Sequence, residues 1–182
     1  MIKDKKELKK CLKLEKNIYY NSYCKSKKDK INRIITRDPL YVLYQYVKVL
    51  RKSELYYNTN KKILYAWYRY KKNKLGIKLG IEMWENNFEE GLIIYHAGNI
   101  VINRGAKVGK NCQLHGDICI GNDGKNNKCP IIGDNVDIGV GVKIIGNIKI
   151  ADNIVIGAGA VVNKSFDEKG ITIAGIPAKK IK

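Results

Sequence analysis

An aliphatic side chain returns every six residues along the C-terminal half of the chain. From residue 102 these positions keep one phase, and after a single step of twelve the phase resumes without a slip: Ile102, Val108, Leu114, Ile120, Ile132, Ile138, Ile144, Ile150, Ile156 and Val162. Four positions along each repeat, a second set is small or apolar: Ala106, Cys112, Ile118, Val136, Val142, Ile148, Ile154 and Ala160. A period of six is neither the 3.6 of a helix nor the 2 of a single strand. It predicts a solenoid, a parallel β-helix over roughly residues 80–165 with three hexads in each coil.

The N-terminal part has a different pattern. Apolar residues three and four apart indicate amphipathic helices in "KELKKCLKLEKNIY", "DPLYVLYQYVKVLRKSELYYN" and "KKILYAWYRYKKNKL". Asp38-Pro39 is typical of the start of the second of these helices, and residues 58–60 of its end. The sequence therefore predicts a basic α-helical region at 1–78 and a β-helix domain with a C-terminal tail at 79–182.

Positive charge is concentrated in the helical part. Residues 1–78 hold 23 Lys and Arg against 6 Asp and Glu, whereas residues 79–182 hold 12 against 11. Such a region can meet an anionic membrane, nucleic acid or an acidic polymer. A bias of composition explains it equally well, because lysine outnumbers arginine 30 to 5 over the whole chain.

Composition also predicts a compartment. No apolar run reaches the length of a membrane span, and the first residues lack the apolar core of a secretory signal. The five cysteines form no CxxC pair, which favours reduced thiols over a disulfide framework or a zinc site. These features predict a cytoplasmic protein.

The repeat breaks twice. The step from Ile94 to Ile102 is eight, so two extra residues bulge outward at the corner "YHAGN" and carry His96 out of the core. The second break is the step of twelve, where "GNDGKNNKCPI" predicts an extruded polar loop. Since three hexads make one coil, His115 is predicted at the same corner as His96, about 4.8 Å along the axis. A plain surface corner residue is the alternative for His115.

Three motifs carry a resemblance to a known family. "GLIIYHAGNIVINRGAKVGKNC", the loop ending in "CPIIGDNVDIGVGVKIIGNIKI" and "GAGAVV...IAGIPAKKI" are similar to the hexapeptide-repeat acyltransferases, in particular the branch of serine acetyltransferases and surface-polysaccharide O-acetyltransferases. The resemblance implies a left-handed β-helix, although parallel crossovers in general prefer the right hand. It also implies a homotrimer with the cofactor between neighbouring β-helices, and a hexamer stays open.

The same resemblance implies an activity and a site. Acetyl would pass from acetyl-CoA, without a metal, directly to a hydroxyl in a ternary complex, with His96 as the general base. Glu82 would orient His96, with Glu85 as the alternative. Backbone N–H groups at Gly121, Asn122 and Val140 would stabilise the oxyanion. The remaining cofactor contacts would be Val140, Gly141 and Ala158 along the pantetheine arm, and Lys164 and Lys179 at the phosphates.

The chain departs from the serine enzymes at the acceptor. Those enzymes have Asp before the catalytic histidine and an Arg-His pair before the proline that ends the loop; here the positions hold Tyr95, Lys128 and Cys129. Losing the Asp argues against binding an ammonium group, because an uncompensated buried charge is costly. Together with His115, these residues are predicted to bind a sugar or polysaccharide-precursor hydroxyl, with L-serine as the alternative. Lipid-linked precursors at the inner membrane face would suit the basic helices.

Three other functions were weighed. A β-helical carbonic anhydrase needs three histidines on a metal, and the chain has two. A nucleic-acid module is disfavoured because no helix-turn-helix spacing or aromatic-basic RNA motif is visible. A non-catalytic scaffold stays open, and it would bind acetyl-CoA without turning over a hydroxyl substrate.

Overall fold

The computed structural model describes residues 1–21 and 26–182. The helices are α1 Lys5–Asn21, α2 Lys27–Ile35, α3 Pro39–Asn58 and α4 Lys62–Leu79. The strands are β1 Ile81–Glu82, β2 Ile93–Ile94, β3 Ile100–Ile102, β4 Lys107–Val108, β5 Gln113–Leu114, β6 Cys119–Gly121, β7 Ile131–Ile132, β8 Asp137–Ile138, β9 Lys143–Ile145, β10 Lys149–Ile150, β11 Val155–Ile156, β12 Val161–Val162, β13 Thr172–Ala174 and β14 Lys179–Lys180.

The three predicted helices are present as α1, α3 and α4. Asp38 caps α3 by accepting a hydrogen bond from the backbone N–H of Leu40, and Pro39 occupies the first turn. Helix α3 ends at Asn58, within the predicted exit. Helix α2 was not predicted, although Ile31, Ile34 and Ile35 stand three and four apart; this short stripe stays exposed, and the helix has no buried residue.

The strands stack into three parallel faces. Face A contains β1, β3, β6, β9 and β12; face B contains β4, β7 and β10; and face C contains β2, β5, β8, β11, β13 and, antiparallel at its end, β14. The chain visits the faces in the order A, B, C, and each round makes one coil. In-phase aliphatics pair directly, as in Ile102 with Ile120 and Ile144 with Val162. The predicted parallel β-helix is therefore confirmed, and it extends past residue 165 to β13.

The ten in-phase aliphatics form the centre of the prism. Each of them is at most 3% exposed. Burying an aliphatic side chain of this size contributes about 1.5–3 kcal/mol. Their stacking therefore provides the main stabilisation of the coils and holds the corners in fixed positions.

The helices pack on the first coil through buried ion pairs. Arg51 on α3 is 1% exposed; it donates to the carboxylates of Glu15 and Glu54 and to the backbone carbonyls of Phe88 and Glu89. One hydrophobic core runs from Tyr19 and Leu43 into the coils. Helix α4 ends at Leu79, close to the predicted boundary, but because the core is continuous the division into two domains stays a prediction.

Four cysteines lie in the part of the chain that the structure describes. Cys11, Cys112, Cys119 and Cys129 are free thiols, and Cys24 lies outside the described residues. Burial raises the pKa of Cys11 and of Cys112 to about 12, so both are protonated at neutral pH. In the same described residues, no helix is long and apolar enough to cross a membrane.

Candidate active site

Both histidines line one groove of about 500 Å³ at the corner between faces C and A. We call it the histidine groove. Its lining residues are His96, His115, Asp137, Gly139, Val140, Val155, Ile156, Gly157 and Ala158. Ile94 pairs with Leu114, so the two histidines follow stacked strands at the same corner, as the register predicts.

His96 lies on the predicted two-residue bulge. Its side chain is exposed, and the bulge turns through Gly98 (φ 104°) and Asn99 (φ 49°). The corner is fixed on both sides, because Gly98 N–H donates to Leu79 O at 2.8 Å and Asp117 N–H donates to Gly98 O at 3.0 Å. The imidazole is therefore presented outward on a rigid backbone, outside the core.

Gly116, on the next coil, makes room for His96. A Cβ at Gly116 would lie 3.2 Å from Cβ of His96, and the φ of Gly116 is +102°. The positive φ disfavours any side chain there, and a Cβ would require His96 to shift by a few tenths of an ångström. The six-residue pattern does not indicate this requirement.

His115 is held by two neighbours, one of which is itself hydrogen-bonded to a third residue. Its Nε2 lies 2.8 Å from Oδ1 of Asp137, and the Tyr95 ring stacks on its ring at a centroid distance of 4.6 Å. The Tyr95 hydroxyl in turn donates to Oε1 of Gln113 at 2.8 Å. The second histidine is thus more tightly fixed than the first.

Asp137 and Gln113 are site residues that sequence reasoning missed. Each immediately precedes an inward aliphatic, whereas Tyr95 and His115 each immediately follow one. Residues on either side of an inward side chain point outward, so successive coils bring them together diagonally. This register rule was a signal that could have found both.

The next two coils provide a flat floor for the groove. Gly139, Val140, Gly157 and Ala158 lie there, and Val140 is 51% exposed. A Cβ on Gly139 would lie 2.7 Å from Ile156 O, so only glycine lets these coils approach. Gly141, also predicted here, lies at the same corner, between β8 and β9, and its N–H donates to Gly116 O at 3.1 Å. The floor fits a thin, extended chain such as a pantetheine arm.

The predicted orienting carboxylates are not beside His96. Glu82 is exposed on face A, in register with Val101, and lines another groove with Trp84 and Asn99. Among the described residues, no hydrogen bond or ion pair joins Glu82 to His96. The structure thus leaves the proposed orienting role of Glu82 without a contact.

The alternative, Glu85, is engaged by other residues. It is 8% exposed, with Lys72 Nζ at 2.8 Å and Ser53 Oγ at 2.7 Å from its Oε1. Burial alone would raise the pKa of Glu85, but the hydrogen bond and charge of Lys72 outweigh it and hold that pKa below its ordinary value. Glu85 anchors the helices to the first coil instead of serving His96.

The extruded loop is present but lies at another corner. It connects β6 on face A to β7 on face B, whereas the histidines lie between faces C and A. Gly121 and Asn122 begin this loop, and Lys128 is exposed near its end. Cys129 is buried, and a Cβ at Gly105 would lie 2.9 Å from its Sγ. A single chain therefore does not bring these four predicted site residues to His96. Cys129 packs at the corner between faces A and B.

The two predicted phosphate-binding lysines differ in place. Lys164 follows β12 on face A, with its Nζ 5.5 Å from the Phe166 ring centroid. Lys179 lies in β14, the last strand of face C, five strand spacings or about 24 Å from β2. Lys164 therefore lies where the chain leaves face A for face B, away from the histidine groove, whereas Lys179 lies on face C.

Ligating side chains are sparse. The described residues contain no group of three or more His, Cys, Asp or Glu that could hold a metal ion. What the groove does contain is two imidazoles, a carboxylate and an apolar floor. Such a set can move protons beside an extended ligand.

The chain is similar in sequence to curated serine acetyltransferases, while no family model matches it. It is 38% identical over 95 residues to the enzyme of Buchnera aphidicola subsp. Schizaphis graminum, covering 50% of this chain and 36% of the relative. It is 30% identical over 163 residues to that of Buchnera aphidicola subsp. Acyrthosiphon pisum, covering 82% and 58%. The chain thus spans between a third and three fifths of the length of these relatives.

Solved structures extend the likeness over the helices. The serine acetyltransferase of Neisseria gonorrhoeae in complex with serine matches with a TM-score of 0.78 and 24% identity, over 98% of this chain and 70% of that one. The Brucella abortus strain S19 enzyme in complex with coenzyme A matches with a TM-score of 0.77 and 24% identity, over 97% and 68%. The hand predicted from the resemblance is confirmed, because these neighbours have the left-handed β-helix. The chain thus has the left-handed β-helix of the hexapeptide-repeat proteins and is similar to the serine acetyltransferases.

Proposed function

We propose that the chain is an acetyl-CoA-dependent O-acetyltransferase in which His96 is the general base. The observation that carries the proposal is the histidine groove, where an exposed imidazole on a rigid bulge stands at one end of a glycine-lined apolar floor. The likeness to serine acetyltransferases supports the same chemistry.

The groove suits a direct transfer. The pantetheine arm would lie along Val140 and Ala158 and bring the thioester toward the histidines. An alcohol is a weak nucleophile, and an imidazole that titrates near neutral pH can accept its proton as the attack proceeds. Acetyl-CoA would supply the activated acyl group, and Lys179 would meet its phosphates at the far end of face C.

L-serine is the acceptor that the comparisons favour, so it replaces the sugar hydroxyl as our first choice. The relatives are named for serine, and one neighbour was solved with serine bound. Asp137 gives the groove a carboxylate for an ammonium group, although His115 already engages it. Lys128 of a neighbouring protomer would meet the substrate carboxylate.

A sugar hydroxyl is the second candidate. It is favoured by Tyr95, which occupies the position before His96 where the serine enzymes have Asp, and whose hydroxyl is committed to Gln113. Neither the fold nor the comparisons give support to a membrane or lipid-linked partner, so the peripheral location is no longer proposed. A cytoplasmic location and a homotrimer stay predictions.

The test is an acetyl-CoA consumption assay with L-serine and, in parallel, a panel of sugars and sugar nucleotides. We expect turnover with L-serine, and in His96→Ala a loss on the order of 10²–10⁴-fold in kcat because the proton acceptor is gone. Lys110→Ala, an exposed change at the corner between faces B and C, is the control and should keep full activity. Binding of acetyl-CoA without turnover of any hydroxyl would favour the scaffold alternative.

A further inference from the structure

The two imidazoles of the histidine groove have unequal surroundings. His115 has a carboxylate at 2.8 Å and a stacked ring, whereas no hydrogen bond or ion pair links His96 to another side chain among the described residues. A neighbouring carboxylate provides a counter-charge that favours the protonated imidazolium, whereas an imidazole without one is more readily neutral and so available to accept a proton. Paired titratable groups in contrasting surroundings commonly divide acid and base work between them.

The order of the coils along the β-helix axis determines which of the two histidines lies nearer to the glycine floor. His96 ends the first coil, His115 the second, and the glycine floor belongs to the third and fourth. A pantetheine arm on the floor therefore reaches His115 before it reaches His96. This puts His115 beside the sulfur and His96 beside the incoming alcohol.

We propose that His115, positioned by Asp137, is a second catalytic residue, the general acid that protonates the departing CoA thiolate. The inference rests on the proposed acetyl transfer. As the alcohol O–H bond breaks, its proton goes to His96; the new C–O bond forms, the C–S bond breaks, and the sulfur takes the proton on Nδ1 of His115. His96 then releases one proton to water and His115 takes one up.

The hydrogen bond to Asp137 determines which ring nitrogen of His115 would protonate the sulfur. Nε2 of His115 is committed to Asp137, so Nδ1 is the nitrogen left for a ligand. The stacked ring of Tyr95 holds the plane of the His115 ring, and the hydrogen bond to Gln113 holds Tyr95 in place. The charged and titratable groups around His115 are Asp137 from β8, Tyr95 and His96 from the preceding coil, and Asp117, which Lys143 of β9 already engages at 3.0 Å.

The test is the pH dependence of kcat for wild type, His115→Gln and Asp137→Asn, with acetyl-CoA and the acceptor that the assay identifies. Wild type should show a bell-shaped profile, because one imidazole must be neutral and the other protonated. His115→Gln should lose on the order of 10²-fold in kcat and the high-pH fall, while KM for acetyl-CoA changes by less than about threefold. Asp137→Asn should move the high-pH fall to lower pH, since the imidazolium loses its counter-charge.

Asp117→Asn is the matched control, an exposed carboxylate two residues from His115 that does not line the groove. It should keep the wild-type profile. His115→Gln with near wild-type kcat, or Asp137→Asn with an unmoved high-pH fall, would overturn the role of His115 while leaving acetyl transfer intact. A wild-type protein that transfers no acetyl group would instead overturn the proposed function, and this inference with it.

Discussion

Gly116 contributes to the position of His96, the proposed general base. Gly116 has a φ of +102°, and a Cβ there would lie 3.2 Å from Cβ of His96, so that His96 would have to shift. Its conformation and its missing Cβ therefore contribute to the position of an imidazole on another coil. This links one backbone angle to the geometry of a proposed proton transfer.

Gly116→Ala should lower kcat by more than its loss of folding stability would cause. The new methyl group would displace His96, and strain at the positive φ should cost about 1–3 kcal/mol. We expect a clear loss in kcat, measured by acetyl-CoA consumption at a temperature where both proteins are folded. Gly170→Ala is the control, because Gly170 has a φ of +74° with nothing within 4 Å; it should show the strain without the loss. Equal activity of the two variants would contradict the positioning role of Gly116.

Among single residues, the sequence predicted the site residue that interrupts the six-residue repeat. It did not reveal the site residue that occupies a regular position of the repeat. His96 was found because a step of eight broke a step of six. Asp137 occupies an ordinary position of an unbroken hexad, and only the diagonal register between coils gives it a partner in His115. Glu85 was assigned from a motif position, and its burial against Lys72 depends on helix packing that the motif does not encode.

The coils and the helices are held by different forces. Each coil buries one aliphatic per face, so its register follows from local sequence and was predictable. The helices depend on contacts distant in sequence, such as Arg51 with Glu15 and with Phe88 O, which no local pattern reveals. Helix α2 has only a short apolar stripe, Ile31, Ile34 and Ile35, and these side chains remain exposed.

Arg51→Met should destabilise the attachment of the helices. It leaves Glu15 and Glu54 buried without a counter-charge, and breaking a buried ion pair in this way typically costs about 3–5 kcal/mol. Denaturant unfolding would measure the loss in unfolding free energy. Arg33→Met removes a partly exposed pair with Asp38 and should cost less than about 1 kcal/mol. A loss of that smaller size in Arg51→Met would show that the buried network contributes little.

In a single chain, the residues predicted for the active site lie at two different corners of the β-helix. The histidine groove lies at the corner between faces C and A, while the loop with Asn122 and Lys128 leaves the corner between faces A and B. Two corners of one prism cannot converge on one substrate. Three-fold symmetry resolves this, because it can place one protomer's loop against the groove of the next. The predicted homotrimer is thus the simplest assembly in which the proposed acceptor contacts meet His96.

Mixed assemblies test this division. A variant lacking loop residues 123–128, which include Lys128, and the His96→Ala variant should each be inactive, since each lacks one half of every site; the deletion returns the step from Ile120 to Ile132 to six. Unfolded together and refolded at equal amounts, they should regain about a quarter of wild-type activity, because a site is intact when an unaltered groove meets an unaltered loop from the neighbour. Sedimentation should show trimers for both variants, and refolding each alone is the control. If the mixture stays inactive although trimers form, groove and loop must act within one chain. The fold described here would then require the loop to cross from its own corner to the next.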